Sequence, residues 1–405
     1  MLSRVFRRHS TIACLDFGSY QVRALVASIQ DNGRSEVLGV GACRSLGIRN
    51  GIIHDIPQAS ECLTDALALA ETQAGVKASE AFVTAAPESL RSFLMRLPLP
   101  IPEGRVARHH IQQAEQEARN AVAAQNLTVL HAIPVSFELD GLGQTDNPIE
   151  QTANHLSATF HLVALPAAIL ANIQRCCDYA RLTLRAVVAA GYASGLSGLT
   201  PDQRKLGAAL VDLGGDTSSL ALFVRGKLVH TSVLPLGGLH MTRTIADTLQ
   251  IPLEDAEMRK TRRAQLVGQH HHFAPDPELP SLFSDTLDGN EINEICASGH
   301  ATILQRIAEK LAQPSLDAFN VRRLVLSGGG ATLQGLRFFA EDYFPGYRID
   351  LHHHDSASAA QALFQQSAFS AVYGLLSFAQ SLLRRRARAS LSAPAVQNEQ
   401  ILLRG

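Results

Sequence analysis

The sequence has no excess of charge of either sign. Its 36 lysines and arginines and 37 aspartates and glutamates leave a formal net charge of −1. No overall field therefore attracts nucleic acid or acidic lipid, and any such attraction must be local. We expect no nucleic-acid partner. Hydrophobic residues make up 46% of the 405 residues and charged residues 18%, which excludes wholesale disorder and allows two or more domains.

Long apolar segments and a disulfide framework are also missing. No apolar run approaches the roughly 20 residues that span a bilayer. The basic segment MLSRVFRRHS precedes only a short apolar run, which Asp16 interrupts, so we expect no signal peptide. The six cysteines lie mostly among apolar residues, and the adjacent Cys176 and Cys177 would rarely pair with each other. This pattern is typical of a reduced, cytosolic protein.

A stretch in the middle of the chain, LGAALVDLGGDTSSLALF, combines strands, a carboxylate and a glycine turn. Ala208–Val211 is apolar on both faces, as expected of a strand in a covered sheet, and Asp212 ends it. Gly214 and Gly215 allow a tight turn with backbone N–H groups close to an anion. The pattern predicts a β-hairpin that cradles phosphate, although most Gly-Gly hairpin turns bind nothing.

The same pattern occurs at the start of the chain, and a third glycine-rich turn lies towards its end. An apolar strand beginning at Ile12 leads to Asp16, Gly18 and Ser19 and then to a second apolar strand. Two such hairpins indicate duplicated α/β halves that face each other across a cleft. The segment VRRLVLSGGGATLQG, at 321–335, predicts a strand, three glycines and a helix, a geometry that lets backbone pack against a flat ring or ribose.

These three motifs stand in the order of the phosphate-1, phosphate-2 and adenosine motifs of the actin, sugar-kinase and heat-shock-chaperone ATPase superfamily. Further matching segments are His131–Asp140, Asn147-Pro148, Leu234–Thr242, Ala256-Glu257 and Lys260. With them, the chain resembles the FtsA family of bacterial cell-division proteins from about Thr11 to about Gln380.

The resemblance implies an α/β, actin-like duplicated ATPase fold with two halves around a nucleotide cleft and an inserted α+β subdomain. Pro98, Pro100 and Pro102 interrupt the rhythm of hairpins and crossover helices where the insertion is expected. The implied divisions are a first half at 1–85 completed by 166–198 and 367–388, an inserted subdomain at 86–165, a second half at 199–366, and a tail at 389–405.

The resemblance also implies a site for ATP and Mg²⁺. Asp16 and Asp212 would hold Mg²⁺ through water on either side of the phosphates. The residues implied around the phosphates are Gly18, Ser19, Tyr20, Gln21, Gly214, Gly215 and Thr217. The residues implied around ribose and adenine are Gly237, Gly238, Glu257, Lys260, Gly328, Gly329 and Gly330. By spacing alone, Glu257 and Lys260 also suit a solvated i,i+3 ion pair.

Three positions depart from the family pattern. Gln21 replaces a lysine that relatives often have, which removes a point charge directed at the phosphates. Asp216 replaces the usual glycine, and Ser219 a common aspartate. A carboxylate beside phosphate is repulsive unless a metal or a rotamer turned away compensates for it.

The segment expected to contain the first connecting helix, Leu184–Leu199, bears on turnover. In hydrolytic members of the superfamily a polar side chain near this point orients the attacking water. Here the segment offers Arg185, Tyr192 and Ser194 but no obvious carboxylate or glutamine. We therefore predict that ATP binds with Mg²⁺ and that its turnover is slow or undetectable.

The resemblance implies an actin-like cell-division protein that polymerises, tethers FtsZ filaments to the cytoplasmic face of the inner membrane, and recruits later divisome proteins. Its partners would be FtsZ, further copies of itself, other divisome proteins and inner-membrane lipid. One alternative is a phosphotransferase of the same superfamily, for which we find no general base near an acceptor hydroxyl. Another is a pilus-assembly adaptor of related fold.

Membrane contact has three candidate segments. FtsA proteins end in a short amphipathic helix, which Ile401–Arg404 matches poorly. The arginine cluster at 384–388 or the basic segment Met1–His9 could replace it, since a basic patch attracts anionic lipid by about 1 kcal/mol per charge. The arginines equally suit the C-terminal end of a closing helix.

Two further local features complete the sequence predictions. The histidine runs His270–His272 and His352–His354 are expected in exposed loops, because consecutive residues do not easily converge on one ion. A turn at Gly237-Gly238 is expected to precede a helix at Thr242–Leu249.

Overall fold

Strands and helices alternate along most of the chain. In a computed structural model, the described residues are 10–30, 34–266, 287–352 and 367–392. The strands are β1 (Ser10–Phe17), β2 (Gln21–Ile29), β3 (Ser35–Arg44), β4 (Ile48–Arg49), β5 (Ile52–Ile53), β6 (Glu80–Ala85), β7 (Arg91–Pro100), β8 (Leu127–Leu139), β9 (Gln144–Thr145), β10 (His155–Pro166), β11 (Thr183–Ala189), β12 (Ala208–Leu213), β13 (Ser218–Val224), β14 (Lys227–Leu234), β15 (Arg323–Ser327) and β16 (Arg348–Leu351).

The helices connect these strands and cover their faces. They are α1 (Ile56–Ala74), α2 (Arg108–Ala123), α3 (Ala167–Tyr179), α4 (Ala190–Gly198), α5 (Pro201–Leu206), α6 (Gly238–Leu249), α7 (Leu253–Arg263), α8 (Leu287–Leu311), α9 (Pro314–Asp317), α10 (Leu336–Glu341) and α11 (Ser370–Ser392). No helix among the described residues is long and apolar enough to cross a membrane.

Two five-stranded sheets share one topology. The first has the order β11-β6-β1-β2-β3 and the second β14-β13-β12-β15-β16. In the first, β1 pairs antiparallel with β2 and parallel with β6. In the second, β12 pairs antiparallel with β13 and parallel with β15. The strands that end in Asp16 and Asp212 are therefore at equivalent places in two halves, as the duplicated motifs predict.

Helices cover both faces of each sheet. Ala13 and Leu15 of β1 pack with α1 and α3, whereas Ile12 and Cys14 pack with α4 and α11. Both sets are buried, which explains why β1 is apolar at successive positions rather than at alternate ones. In the second half, helices α6, α7, α8 and α10 pack on one face of the sheet.

A separate four-stranded sheet is inserted in the sequence between β6 and β11, two neighbouring strands of the first sheet. Its order is β7-β10-β8-β9, and its strands pair antiparallel. Helix α2 buries Ala114, Ala118 and Val122 against it. Because this sheet has its own core, it forms a subdomain added to the two halves.

Local predictions differ from the structure in two places. Helix α6 begins at Gly238 instead of Thr242. His352 is buried, and its Nδ1 lies 2.8 Å from the hydroxyl of Ser327, so the expectation that it lies in an exposed loop was wrong. The other histidines of both runs, the segments Met1–His9 and Ile401–Arg404, and the arginine side chains beyond Arg384 in the basic cluster lie outside the described residues.

Helices α4 and α11 cross closely because residue 374 is a glycine and has no side chain. A Cβ at Gly374 would overlap the carbonyl oxygen of Ala193. We expect Gly374→Ala to lower the free energy of unfolding by at least about 2 kcal/mol, because neither helix backbone can move without disturbing the core. Chemical denaturation measures the change. Ser381→Ala, at an exposed position of the same helix, is the control and should change stability by less than about 0.5 kcal/mol. Equal stability of the two variants would contradict this packing.

Candidate functional site

Two carboxylates end equivalent strands and face one cavity. Asp16 accepts a hydrogen bond of 2.5 Å from the hydroxyl of Thr84, at the end of β6. Asp212 accepts one from the hydroxyl of Ser194, in α4. The pKa of Asp212 is raised from 3.8 to about 6, mainly because burial disfavours the charged form and also because the charge of Asp16 repels it. The two carboxylates therefore interact across the cleft.

The cavity between the halves has a volume of about 320 Å³, within the size range of small-molecule sites. All the residues predicted to bind the cofactor line it except Gly237. Those residues are Asp16, Gly18, Ser19, Tyr20, Gln21, Asp212, Gly214, Gly215, Thr217, Gly238, Glu257, Lys260, Gly328, Gly329 and Gly330. The structure thus brings together residues as far apart in the sequence as Asp16 and Gly330.

Gly237 does not line the cavity but packs against the backbone of a turn that does. A Cβ there would overlap the carbonyl oxygen of Gly215. Next to it, the N–H of Gly238 donates to the carbonyl of Gly214 at 2.9 Å, and the N–H of Leu239 donates to that of Gly215 at 2.7 Å. The N-terminus of α6 is therefore fixed against the β12–β13 turn.

The triple glycine at 328–330 packs directly against the carboxylate of Asp212. Gly328 has a φ of +87°, and a Cβ at this position would overlap Oδ1 of Asp212. Only glycine combines this backbone conformation with so close an approach. After it, Gly329–Thr332 forms a short 3₁₀ helix. The strand, turn and helix predicted for 321–335 are present.

Glu257 and Lys260 are not a solvated ion pair. Their side chains are 11% and 12% exposed, and Lys260 Nζ lies 2.7 Å from a carboxylate oxygen of Glu257. Lys260 also donates to the hydroxyl of Thr242 at 2.8 Å and to the carbonyl of Gly238 at 3.0 Å. Thr242 in turn donates to Glu257 at 2.5 Å. The pair forms a preorganised polar wall of the cavity.

The three polar side chains of the first connecting segment all have other partners. Arg185 pairs with Glu80. Tyr192 contacts the rings of His131 and Phe378. Ser194 donates to Asp212. None of them combines a carboxylate or amide with a free position facing the cavity, so this segment lacks a group suited to orient water.

Asp216 is turned away from the cavity and connects the two halves. It is 2% exposed, and one of its oxygens accepts a hydrogen bond of 2.8 Å from Arg243. The other accepts one of 3.1 Å from the backbone N–H of Asn50, which lies in the turn between β4 and β5. The repulsion with phosphate expected from a carboxylate here is thus avoided by orientation and by pairing. We call these three residues the clasp.

Some residues of the cavity wall were not predicted. Arg23 and Thr84 flank Asp16, because Arg23 is paired with it across the β1–β2 hairpin and Thr84 across β1–β6. His300 is buried in α8, and burial lowers its pKa to about 4. Its Nδ1 lies 2.8 Å from the carbonyl of Cys296, which only accepts, so Nδ1 bears the proton. The hairpin register was the available signal for Arg23; nothing in the sequence marks His300.

The donor set suits a magnesium nucleotide. Carboxylate oxygens are ligands that hard divalent cations prefer. A cation between Asp16 and Asp212 would offset both the burial of the Asp212 charge, which is the main cause of its raised pKa, and the smaller repulsion by Asp16. Glycine turns from both halves expose backbone to the same space, which suits phosphate.

Comparison with known proteins agrees with this architecture. The family model for cell division protein FtsA matches residues 209–374, and that for the SHS2 domain inserted in FtsA matches 88–164. FtsA of Escherichia coli K12 is 27% identical over 340 residues, covering 82% of this chain and 81% of that protein. FtsA of Rhizobium meliloti 1021 is 26% identical over 346 residues, covering 82% and 78%.

Solved structures show the same fold. The PilM-PilN type IV pilus biogenesis complex has a TM-score of 0.64 at 14% identity, covering 89% of this chain and 96% of that chain. MreB5 of Spiroplasma citri bound to ADP has a TM-score of 0.50 at 14% identity, covering 94% and 98%. The predicted fold class is confirmed: this is an actin-like protein with an inserted subdomain. Within that class, the chain belongs to the FtsA family of cell-division proteins.

The raised pKa of Asp212 predicts a stability effect. We expect Asp212→Asn to raise the free energy of unfolding at pH 7 by about 1–3 kcal/mol, because it removes a charge that is disfavoured in the folded state and keeps an acceptor for Ser194. The gain should be complete above pH 6 and vanish below about pH 4, where the aspartate is protonated in both the folded and the unfolded state. Denaturation at pH 4, 6 and 7.5 measures it. Asp202→Asn, an exposed control, should show no such trend, and a pH-independent difference would contradict the assignment.

The clasp predicts a local change in dynamics. In Asp216→Ala the amide of Asn50 loses its charged acceptor, so we expect it to exchange hydrogen at least about tenfold faster. Exchange monitored by mass spectrometry over the β4–β5 segment measures this. Asp247→Ala, at an exposed position of α6, is the control. Unchanged exchange at Asn50 in the Asp216 variant would mean that the clasp does not join the halves in solution.

Proposed function

We propose that this FtsA-family protein binds ATP with Mg²⁺ in the cleft between its halves and uses the nucleotide to control its own polymerisation. The polymer would tether FtsZ filaments to the cytoplasmic face of the inner membrane and recruit later divisome proteins. The observation on which the proposal depends is that Asp16 and Asp212 end equivalent strands and interact across one cavity. The ADP bound by MreB5, a protein of the same fold, supports the choice of an adenine nucleotide.

Each part of the nucleotide has a corresponding part of the cavity. Asp16 and Asp212 would hold Mg²⁺ through water, and that ion neutralises phosphate charge when bound. Ser19, Thr217 and the glycine turns of the two hairpins would donate to phosphate oxygens. Glu257 and Lys260 would face the ribose and adenine, opposite the triple glycine at 328–330. The hydrogen bonds that join Lys260 to Gly238 and Glu257 to Thr242, both in α6, hold the two side chains in place before the nucleotide arrives.

Slow turnover agrees with the contacts around α4. Hydrolysis needs a group that positions or deprotonates water beside the terminal phosphate. Arg185, Tyr192 and Ser194 already have partners within the protein. Asp212 is itself a candidate metal-holding group, and its raised pKa predicts that Mg²⁺-dependent binding weakens as the pH falls below about 6.

The clasp supports a link between the cleft and assembly. Asp216 belongs to the β12–β13 turn predicted to hold phosphate, and it bonds the turn between β4 and β5 of the first half. A nucleotide that orders the β12–β13 turn would also order this contact and hold the halves closed. Closed subunits of one shape would favour regular head-to-tail association.

Calorimetric titration tests the nucleotide part of the proposal. We expect the protein to bind Mg²⁺-ATP at pH 7.5, with turnover far below the roughly 1–100 s⁻¹ of kinases. Asp16→Asn should weaken Mg²⁺-ATP binding more than binding of ATP in EDTA, because the carboxylate acts through the cation. No heat of association with the unmodified protein, or turnover at the rate of a kinase, would contradict the proposal.

Co-sedimentation tests the assembly part. The full chain should pellet with FtsZ polymers and with vesicles containing anionic lipid, and pelleting should increase with Mg²⁺-ATP. Vesicles of neutral lipid and FtsZ kept unpolymerised are the controls. Pelleting with neither partner would reject the tethering role while leaving nucleotide binding intact.

A further inference from the structure

Two cysteines of the first half lie between strand β3 and helix α1. Cys43 is near the end of β3, Cys62 is in the second turn of α1, and both are free thiols. Cys62 is 4% exposed in the core of the first half, and Cys43 packs against that core. Of the six cysteines, all of which the structure describes, Cys43 is the one that is not buried. It is therefore the thiol that a small reagent in solvent contacts first.

Glycines bring the backbone of β3 so close to α1 that no side chain fits between them. A Cβ at Gly39 would overlap the carbonyl oxygen of Ala70, and a Cβ at Gly41 would overlap that of Ala66. Two residues of a strand advance by about 6.7 Å and four residues of a helix by about 6.0 Å. One further step of two strand residues and four helix residues therefore pairs the two cysteines.

The contacts of the Cys43 thiol agree with this register. Its Sγ lies 4.0 Å from Oδ2 of Asp65, which is one turn along α1 from Cys62. Burial raises the pKa of the Cys43 thiol; the thiol of Cys62, within hydrogen-bonding distance, and the charge of Asp65 raise it further. Because the thiolate is the nucleophile, Cys43 reacts slowly with an oxidant at neutral pH.

We propose that Cys43 and Cys62 are a modification site, at which hydrogen peroxide forms a reversible intramolecular disulfide. The thiolate of Cys43 attacks the peroxide, the O–O bond breaks with release of hydroxide, and the sulfur is oxidised to a sulfenic acid. The thiol of Cys62 then attacks that sulfur. The S–S bond forms, the S–O bond breaks, and the hydroxyl leaves as water with the proton of the second thiol. The sum converts two thiols and one peroxide into one disulfide and two water molecules.

The disulfide would close a loop around a segment that contacts the cleft. Residues 44–61 include the turn between β4 and β5, where the N–H of Asn50 bonds Asp216 of the clasp and that of Gly51 donates to the hydroxyl of Ser19 at 3.3 Å. Because a cross-link acts mainly by restricting the unfolded chain, we expect the oxidised protein to keep its fold and to be more stable. This inference does not depend on the proposed nucleotide function.

Peptide mapping after treatment with hydrogen peroxide tests the pair. With the remaining thiols blocked by iodoacetamide, we expect one peptide that joins Cys43 to Cys62, lighter by two hydrogen atoms than the two reduced peptides together, which dithiothreitol separates again. Cys43→Ser and Cys62→Ala should each abolish it. Dimedone should trap the sulfenic acid on Cys43 in the Cys62 variant. Cys296→Ala, which removes a buried cysteine of the second half, is the control and should leave the cross-link unchanged.

Two further measurements separate a prepared pair from chance reactivity. Asp65→Asn should form the cross-link at least about twofold faster, because a lower pKa of Cys43 leaves more thiolate. Glu61→Gln, an exposed acid of the same helix, should not change the rate. The cross-linked protein should melt at least about 2 °C above the reduced protein.

Several results would overturn the proposal. In the unmodified protein these are no reaction at either cysteine, oxidation of Cys43 beyond the sulfenic acid without a cross-link, and a disulfide between two molecules. A lower melting temperature of the cross-linked protein also counts against it, since α1 and β3 would then have to move apart to form the bond. An unchanged rate in Asp65→Asn would place the Cys43 thiol away from α1. The unmodified chain decides the first four outcomes, so a variant that does not fold leaves the test intact.

Discussion

The burial of Asp212 in a cavity that it shares with Asp16 is the constraint around which the cleft is built. Burial raises the pKa of Asp212, and the charge of Asp16, which repels it across the cavity, raises that pKa further. Thr84, Ser194 and Arg23 offset the repulsion by hydrogen bonding and by charge. A cation bound between the carboxylates would relieve the remainder. The two hairpins, β1–β2 and β12–β13, hold the carboxylates in place despite this repulsion.

Both charged departures from the family pattern are accompanied by an arginine. Asp216 adds a negative charge to the β12–β13 turn, and Arg243 pairs with it. Gln21, which the resemblance predicts to be a lysine, accepts a hydrogen bond from Arg23 on the same face of the β1–β2 hairpin. The negative charge of Asp216 and the neutral side chain of Gln21 would each disfavour phosphate if they stood alone. Each of them is bonded to an arginine, so neither argues against nucleotide binding.

The sequence was informative wherever the determining contacts are local. Apolar strands ending in aspartate and followed by glycine were enough to place Asp16 and Asp212, and the triple glycine at 328–330 identified the third turn. Arg23 was missed because its relation to Asp16 depends on the register of the β1–β2 hairpin, which the sequence analysis did not work out. His352 was expected in an exposed loop because consecutive histidines do not easily converge on one ion. Its burial arises from pairing of β16 with β15 and from the hydroxyl of Ser327.

Helix ends and ion pairs were hardest to predict, because tertiary contacts decide them. Helix α6 begins at Gly238 since that N–H has an acceptor in Gly214, a residue 24 positions earlier. A glycine pair would otherwise favour a turn at this point. Glu257 and Lys260 have the spacing of a common surface pair, and only the packing of α7 against α6 buries them. Neither the start of α6 nor the burial of this ion pair can be predicted from the neighbouring residues in the sequence.

The hydroxyl groups of two serines connect the cleft to the far side of the first half. Ser194 donates to Asp212, and the fully buried Ser370 donates to Ser194 at 3.3 Å. Ser370 is the first residue of α11, whose 23 residues span about 34 Å at 1.5 Å per residue. The backbone of that helix also includes the arginine cluster proposed for lipid contact. Because the crossing with α4 leaves no space at Gly374, α11 cannot slide past α4 without disrupting the core. The two serine hydroxyls and this close crossing give the cleft a continuous set of contacts with α11.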